Sequence, residues 1–141
     1  MTDVFTRKRR SEVMARIRGR GNKATELALA KLLRAHHISG WRRHTVVFGK
    51  PDFVFRRERL AVFVDGCFWH GCPRCYRRPG TNQNFWDKKF MRNRTRDRLV
   101  NRTLQAFGWR VLRIWEHEFK KPESVVAKLR STIRVVSKLT R

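Results

Sequence analysis

An α/β (α+β) fold, a mixed β-sheet flanked by helices, is predicted for this chain by three observations. Apolar residues recur with helical spacing in three segments and with strand spacing in four, in the order αβββαβα. The three middle strands are joined by short Gly/Pro- or Arg-rich turns, which predicts an antiparallel meander. The last strand is reached only after a long helix, which predicts that it pairs parallel to a neighbour.

The elements follow in order. From Asn22 to about His37, Ala24, Leu27, Ala28, Leu32 and Leu33 recur at three- and four-residue steps, with Asn22 or Thr25 as cap. His44–Phe48 reads as a strand stopped by Gly49-Lys50-Pro51. Asp52–Phe55 is the second strand and Leu60–Val64 the third. A loop over about 65–84 carries Pro73, Pro79 and Gly80. A helix from Phe85 to Phe107 is closed by Gly108. Trp109–Trp115 alternates as a strand, and Pro122 opens a last helix through Val125, Val126, Leu129 and Ile133.

Length and charge bound the function. The 141 residues suit one domain, placed at 22–141, behind a basic arm at 1–21. Lys and Arg number 35 against 11 Asp and Glu, a net charge of +24. Such an excess implies a polyanionic partner, nucleic acid first and an anionic membrane second. No apolar run is long enough to span a membrane, and the first residues lack a signal-peptide core. A cytoplasmic location is therefore expected, where thiols stay reduced. Arg7, Arg9 and Arg10 in the arm read as a clamp on DNA phosphates.

The chemistry concentrates between residues 51 and 75. Asp52, after Pro51 at a strand start, is placed to hold Mg²⁺ through oxygen, with the Val64 main-chain carbonyl or the Asp65 side chain as second ligand. Cys67, Cys72 and Cys75 have the spacing C-x₄-C-x₂-C, and no cysteine lies elsewhere. Three thiols in so short a loop suit Zn²⁺. The fourth ligand is His70 or a distant residue. His117 is preferred, which leaves His70 as general base toward attacking water. Asp97 then orients His70, or is a surface ion-pair member between Arg96 and Arg98. Glu26, the one acid of the first helix, is either a partner of Arg34 or an arm arginine, or a carboxylate near the metal. Phe68, Trp69 and Trp86 could wedge between base steps or pack inside. Basic residues of the long helix, Lys89 among them, would contact the DNA backbone.

Several motifs together resemble a known family. Phe-Val-Asp-Gly-Cys-Phe-Trp-His-Gly-Cys-Pro at 63–73 and Pro-Asp-Phe-Val at 51–54 are similar to the very-short-patch mismatch repair (Vsr) DNA endonucleases. So are Phe85-Trp86, the Asn93…Arg96-Asp97 pattern, Gly108–Glu118, and Arg10-Ser11 with Met14. The likeness runs from about residue 7 to about residue 120. It implies a restriction-endonuclease-like fold with a structural zinc, and Mg²⁺-dependent nicking of one DNA strand beside T:G mismatches left by deaminated 5-methylcytosine. It implies catalytic roles for Asp52, His70, Asp97 and Glu26, and a magnesium contact from the Val64 carbonyl. Zinc would fall to Cys67, Cys72, Cys75 and His117. DNA contacts would fall to Phe68, Trp69, Trp86, Lys89 and Asn93. A bacterial, nucleoid-associated protein is implied, with mismatch-repair proteins as further partners; a monomer is expected because a nick on one strand needs only one active site. One departure stands out: the acid-x-lysine element of the wider fold is replaced by Asp65-Gly66-Cys67. Two rivals remain, a non-enzymatic zinc-stabilised nucleic-acid-binding module and a same-fold nuclease with another DNA target.

Overall fold

The computed structural model describes residues 24–67, 72–74 and 77–139, with side chains described to residue 135. Its elements are α1 (24–35), β1 (Trp41–Arg43), β2 (Phe53–Phe55), β3 (Leu60–Asp65), α2 (Gln83–Ala106), β4 (Arg110–Trp115), a 3₁₀ turn at Glu116–Lys120, and α3 (Pro122–Leu139). The strands form one sheet in the order β1-β2-β3-β4. The first two pairings are antiparallel and β3 pairs with β4 in parallel, as the long helical connection requires. The mixed sheet flanked by helices is the architecture expected from the sequence.

Helices cover both faces of the sheet. On one face Leu29, Ala30 and Leu33 of α1 and Val125 and Leu129 of α3 pack on Phe53, Phe55, Leu60, Val62, Val64, Leu112 and Ile114. On the other, Val100 and Leu104 of α2 pack on Ala61 and Phe63. That two-sided cover is why all six residues of β3 are buried, without the polar alternation of a half-solvated strand. No helix among the described residues is long and apolar enough to cross a membrane.

The first strand differs from expectation. His44–Phe48 is not a strand; β1 lies at Trp41–Arg43. The β-branched run Thr45-Val46-Val47 favours strand locally, but pairing decides. Trp41 sits opposite Phe55, and its ring meets Phe53 edge-on at 5.4 Å. Arg43 is thereby aimed at α1. The apolar run becomes a loop, with Val46 99% exposed and Val47 tucked against the α2 face.

Two glycines make this geometry possible. Gly108 has φ +85° and ends α2, with its own N–H donating to Gln105 O and the Trp109 N–H to Leu104 O. These are the two bonds of a Schellman stop, and they turn the chain directly into β4. Gly49, at φ +82°, lies so close to α2 that a Cβ would stand 2.4 Å from Val100 Cγ1. Gly49→Ala therefore combines left-handed strain with overpacking. It should cost about 2–4 kcal/mol and lower the thermal midpoint by roughly 5–15 °C in a calorimetric scan.

Candidate active site and metal centre

Asp52 lies one residue before β2 and extends its pairing with β3. Its N–H donates to Val62 O at 2.9 Å. Its Oδ2 accepts the Val64 N–H at 2.7 Å, so the Val64 peptide sits directly beside the carboxyl group. Glu26 of α1 reaches the same place and is held by Arg43 Nη2 of β1 at 2.8 Å. Burial pushes the Asp52 carboxyl up to about 7; the Glu26 carboxyl adds to this by hydrogen bond and by charge, while the Val64 N–H opposes it. Two acids from different elements thus converge on one place. Carboxyl groups brought together in this way can hold a positive ion.

A second acidic group lies across the cleft. Asp65, at the end of β3, is 4% exposed. Arg113 of β4 donates from Nη1 to both of its oxygens at 3.0 and 3.1 Å. The same Nη1 stands 3.7 Å from Asp97 Oδ1 of α2. Lys50, Asp52, Val64, Asp65, Asp97 and Arg113 all line one cleft of about 460 Å³. Lys50 enters it with φ 53°, a conformation unusual for any non-glycine residue and more so directly before proline.

The cysteine cluster forms a separate centre at the end of β3. Cys67 and Cys72 are buried and reduced, and the Cys72 N–H donates to Cys67 O at 2.9 Å. His117 comes from the 3₁₀ turn that follows β4. That turn is fixed by Glu118, which accepts the Trp115 N–H at 2.6 Å and the Lys128 Nζ of α3 at 3.2 Å. His117 Nδ1 lies 3.4 Å from Cys67 Sγ and 3.5 Å from Cys72 Sγ. The three donor atoms all fall within 4.8 Å of one another, so the group could hold a metal ion. Because β3 and β4 run parallel, Asp65 stands opposite Trp115, and the residues just beyond each strand meet.

The structure brings Asp52, Val64, Glu26 and Asp97 to one region, and Cys67, Cys72 and His117 to another. His70, Cys75, Phe68, Trp69, Arg7, Arg9 and Arg10 lie outside the described residues. Glu26 pairs with Arg43, not with Arg34. Asp97 faces the cleft and Arg113. Trp86 is 6% exposed, between Phe85 at 5.1 Å and Phe90 at 6.1 Å, while Phe85 is 57% exposed. Lys89 and Asn93 are half-buried on α2. Arg113 and Asn101 escaped the reading of the sequence. Arg113 looks there like one more cation in a basic chain, although its place amid the buried alternation of β4 was a signal.

A family model described as "DNA mismatch endonuclease Vsr" matches residues 2–77, which include Asp52, Val64 and all three cysteines. The type II nicking enzyme V.NaeI of Lentzea aerocolonigenes is 58% identical over 69 residues, 49% of this chain and 42% of that protein. The type II nicking enzyme V.NmeDIP of Neisseria meningitidis serogroup C is 38% identical over 94% of this chain and 90% of its own length. The DNA mismatch endonuclease Vsr of Escherichia coli (strain K12) is 39% identical over 82% of this chain and 74% of its own. A family match across more than half of the chain, with relatives aligned over most of their length, leads to one conclusion: this chain belongs to the Vsr family and is a DNA endonuclease.

Proposed function

We propose that this endonuclease nicks one strand of duplex DNA beside a T:G mismatch, in a Mg²⁺-dependent reaction that opens very short patch repair. The observation that carries the reading is the half-buried Asp52–Glu26 carboxyl pair at the sheet rim, with the Val64 peptide alongside. That all-oxygen donor set fits a hard divalent cation. Asp52 and the Val64 carbonyl would hold Mg²⁺, with Glu26 beside them. Bound there, the ion would polarise the scissile phosphate and favour the departing oxygen. His70 takes a proton from the attacking water, and Asp97 orients it. Phe68 and Trp69 prop the mismatched step open, while basic residues of α2 and the arm hold the phosphates. A non-enzymatic binding module leaves this half-buried acid pair without a role.

The second centre fits zinc. A tetrahedral Zn²⁺ with thiolate and imidazole ligands sets S···N edges of about 3.6 Å. The two edges at His117 are 3.4 and 3.5 Å. Cys75 would complete the set. Such a site is structural, tying the loop after β3 to the turn after β4. Action on bacterial DNA would put the protein at the nucleoid, in the cytoplasm. One active site suffices for a nick, so a monomer is enough, and mismatch-repair proteins are its further partners.

The test of target is a strand-labelled duplex carrying T:G, incubated with protein and Mg²⁺ beside its matched counterpart. Nicking should be confined to one strand and be at least ~10-fold faster on T:G, because a mispaired step unstacks at lower cost. Equal rates on both duplexes would remove the mismatch assignment. Preference for a matched recognition sequence would favour the alternative of another DNA target, in keeping with relatives named as type II nicking enzymes.

The raised Asp52 carboxyl also predicts a pH dependence. Its folded value, about 7, lies above the ordinary 3.8, so the folded metal-free protein holds a proton that the unfolded chain has lost. Metal-free stability should therefore fall as pH rises from about 4 through 7. A cation displaces that proton, so apparent Mg²⁺ affinity should weaken about tenfold for each pH unit below 7. Calorimetric Mg²⁺ titrations at pH 6, 7 and 8 check this; an affinity flat between pH 6 and 7 contradicts it.

A further inference from the structure

We propose that Arg113 is the positioning residue that sets Asp97, and with it the α2 wall of the cleft, against the carboxylates of the sheet. The inference rests on the reading of Asp97 as a member of the active site.

The guanidinium group of Arg113 ties its own strand to two other elements, β3 and α2. From β4 it donates to both Asp65 oxygens, at 3.0 and 3.1 Å, at the end of β3. Its Nε donates to Asn101 Oδ1 at 2.9 Å, one turn beyond Asp97 on α2. Its Nη2 reaches the Asp97 main-chain oxygen at 3.5 Å, and its Nη1 stands 3.7 Å from the Asp97 carboxylate. The flat face of the group lies 4.3 Å from the Phe63 ring centroid. Its side chain is 18% exposed, so the fork is largely shielded from water. Only the planar, multi-donor arginine head can meet Asp65, Asn101 and Asp97 in one orientation; a lysine ammonium cannot span them.

Among the described residues, the apolar part of the α2–sheet contact is not directional. Val100 and Leu104 pack on Ala61 and Phe63 through apolar surfaces that fix no angle to a fraction of an ångström. Directional bonds at Asp97 and Asn101 supply what those surfaces lack. The Arg113 main-chain oxygen also accepts Lys128 Nζ of α3 at 3.2 Å, so its strand is held from the opposite face. Arg113 lines the cleft between Asp65 and Asp97, and acts on the reaction by where it places the Asp97 carboxylate. Misplacement of a reacting group by about 1 Å can cost ~10²-fold in rate.

The test is a double-mutant cycle on Arg113→Lys and Asp97→Asn, read by single-turnover nicking and by DNA affinity. Arg113→Lys should lower the nicking rate roughly 30-fold while DNA affinity stays within about 3-fold. In the Asp97→Asn background the same change should cost less than about 3-fold, because the group it places has already been disabled. Losses that multiply across the cycle, or an Arg113→Lys protein that nicks at the wild-type rate, would overturn the proposal. Should Arg113→Lys lose its cooperative melting transition, Asn101→Ala replaces it in the cycle. That variant removes one bond to the fork and should lose roughly 5-fold, again only when Asp97 is intact; an equal loss in both backgrounds overturns the proposal. An Asp97→Asn protein of full activity would instead strike out Asp97 itself, and the positioning inference with it. A damaging Asp97→Asn with a silent Arg113→Lys would strike out the positioning alone.

Discussion

Replacing Asp52 with alanine should lower nicking at least ~10³-fold while the protein still folds and still binds DNA. The size follows from its position. Asp52 is the acid whose ionisation burial and Glu26 most oppose, so a bound cation gains most there. Folding should change little, because two effects offset. Losing the carboxyl relieves crowding with Glu26, whereas the Val64 N–H loses its acceptor at a cost of about 1–2 kcal/mol. Asp52→Asn sharpens the experiment, since an amide oxygen can still accept from Val64 while the charge is gone. Both variants should be inactive, with midpoints near that of the wild type. An Asp52→Ala protein nicking at full rate would end the site assignment. Inactivity in Asp52→Ala beside full activity in Asp52→Asn would reassign the residue to a structural role.

Removing the zinc proposed for the cysteine cluster should act on stability first. Cys72 is 1% exposed and shares His117 Nδ1 with Cys67, so Cys72→Ser breaks the cluster at its most enclosed point. Metal content by atomic emission should fall from about one zinc per chain toward zero, and the thermal midpoint by roughly 10 °C or more. The two histidines should separate. His117→Ala should release the metal, because its imidazole touches both described thiols. His70→Ala should retain the metal and lose roughly 10²–10⁴-fold in nicking, the range for a missing general base. The reverse pattern would make His70 the ligand and leave the reaction without its base.

Much of this molecule could be read along the chain because the signals are local. β2 and β3 were legible as apolar runs bounded by turns, α2 and α3 by their periodicity and by Gly108 and Pro122. The parallel placement of β4 followed from the length of the connection before it. The spacing of Cys67 and Cys72 anticipated that the two thiols would meet, as they do beside His117. What failed was non-local. The His44–Phe48 run has strand composition, yet the edge strand is Trp41–Arg43, since its partner β2 selects Trp41 and Arg43.

Composition and spacing alone determined that this is a basic, nucleic-acid-directed chain with a mixed sheet, a strand-end aspartate and a soft-donor loop. Charge excess, turn residues and ligand intervals are properties of contiguous sequence and survive any packing. Only the tertiary structure decided which acids lie together. Glu26 and Asp52, 26 positions apart, share one enclosed site because α1 lies across β2. Asp65 and Asp97 converge on Arg113 because β4 enters beside β3 beneath α2. Coulombic and hydrogen-bond energies depend on separations of a few ångströms in a shielded medium, and such separations exist only once the sheet has closed.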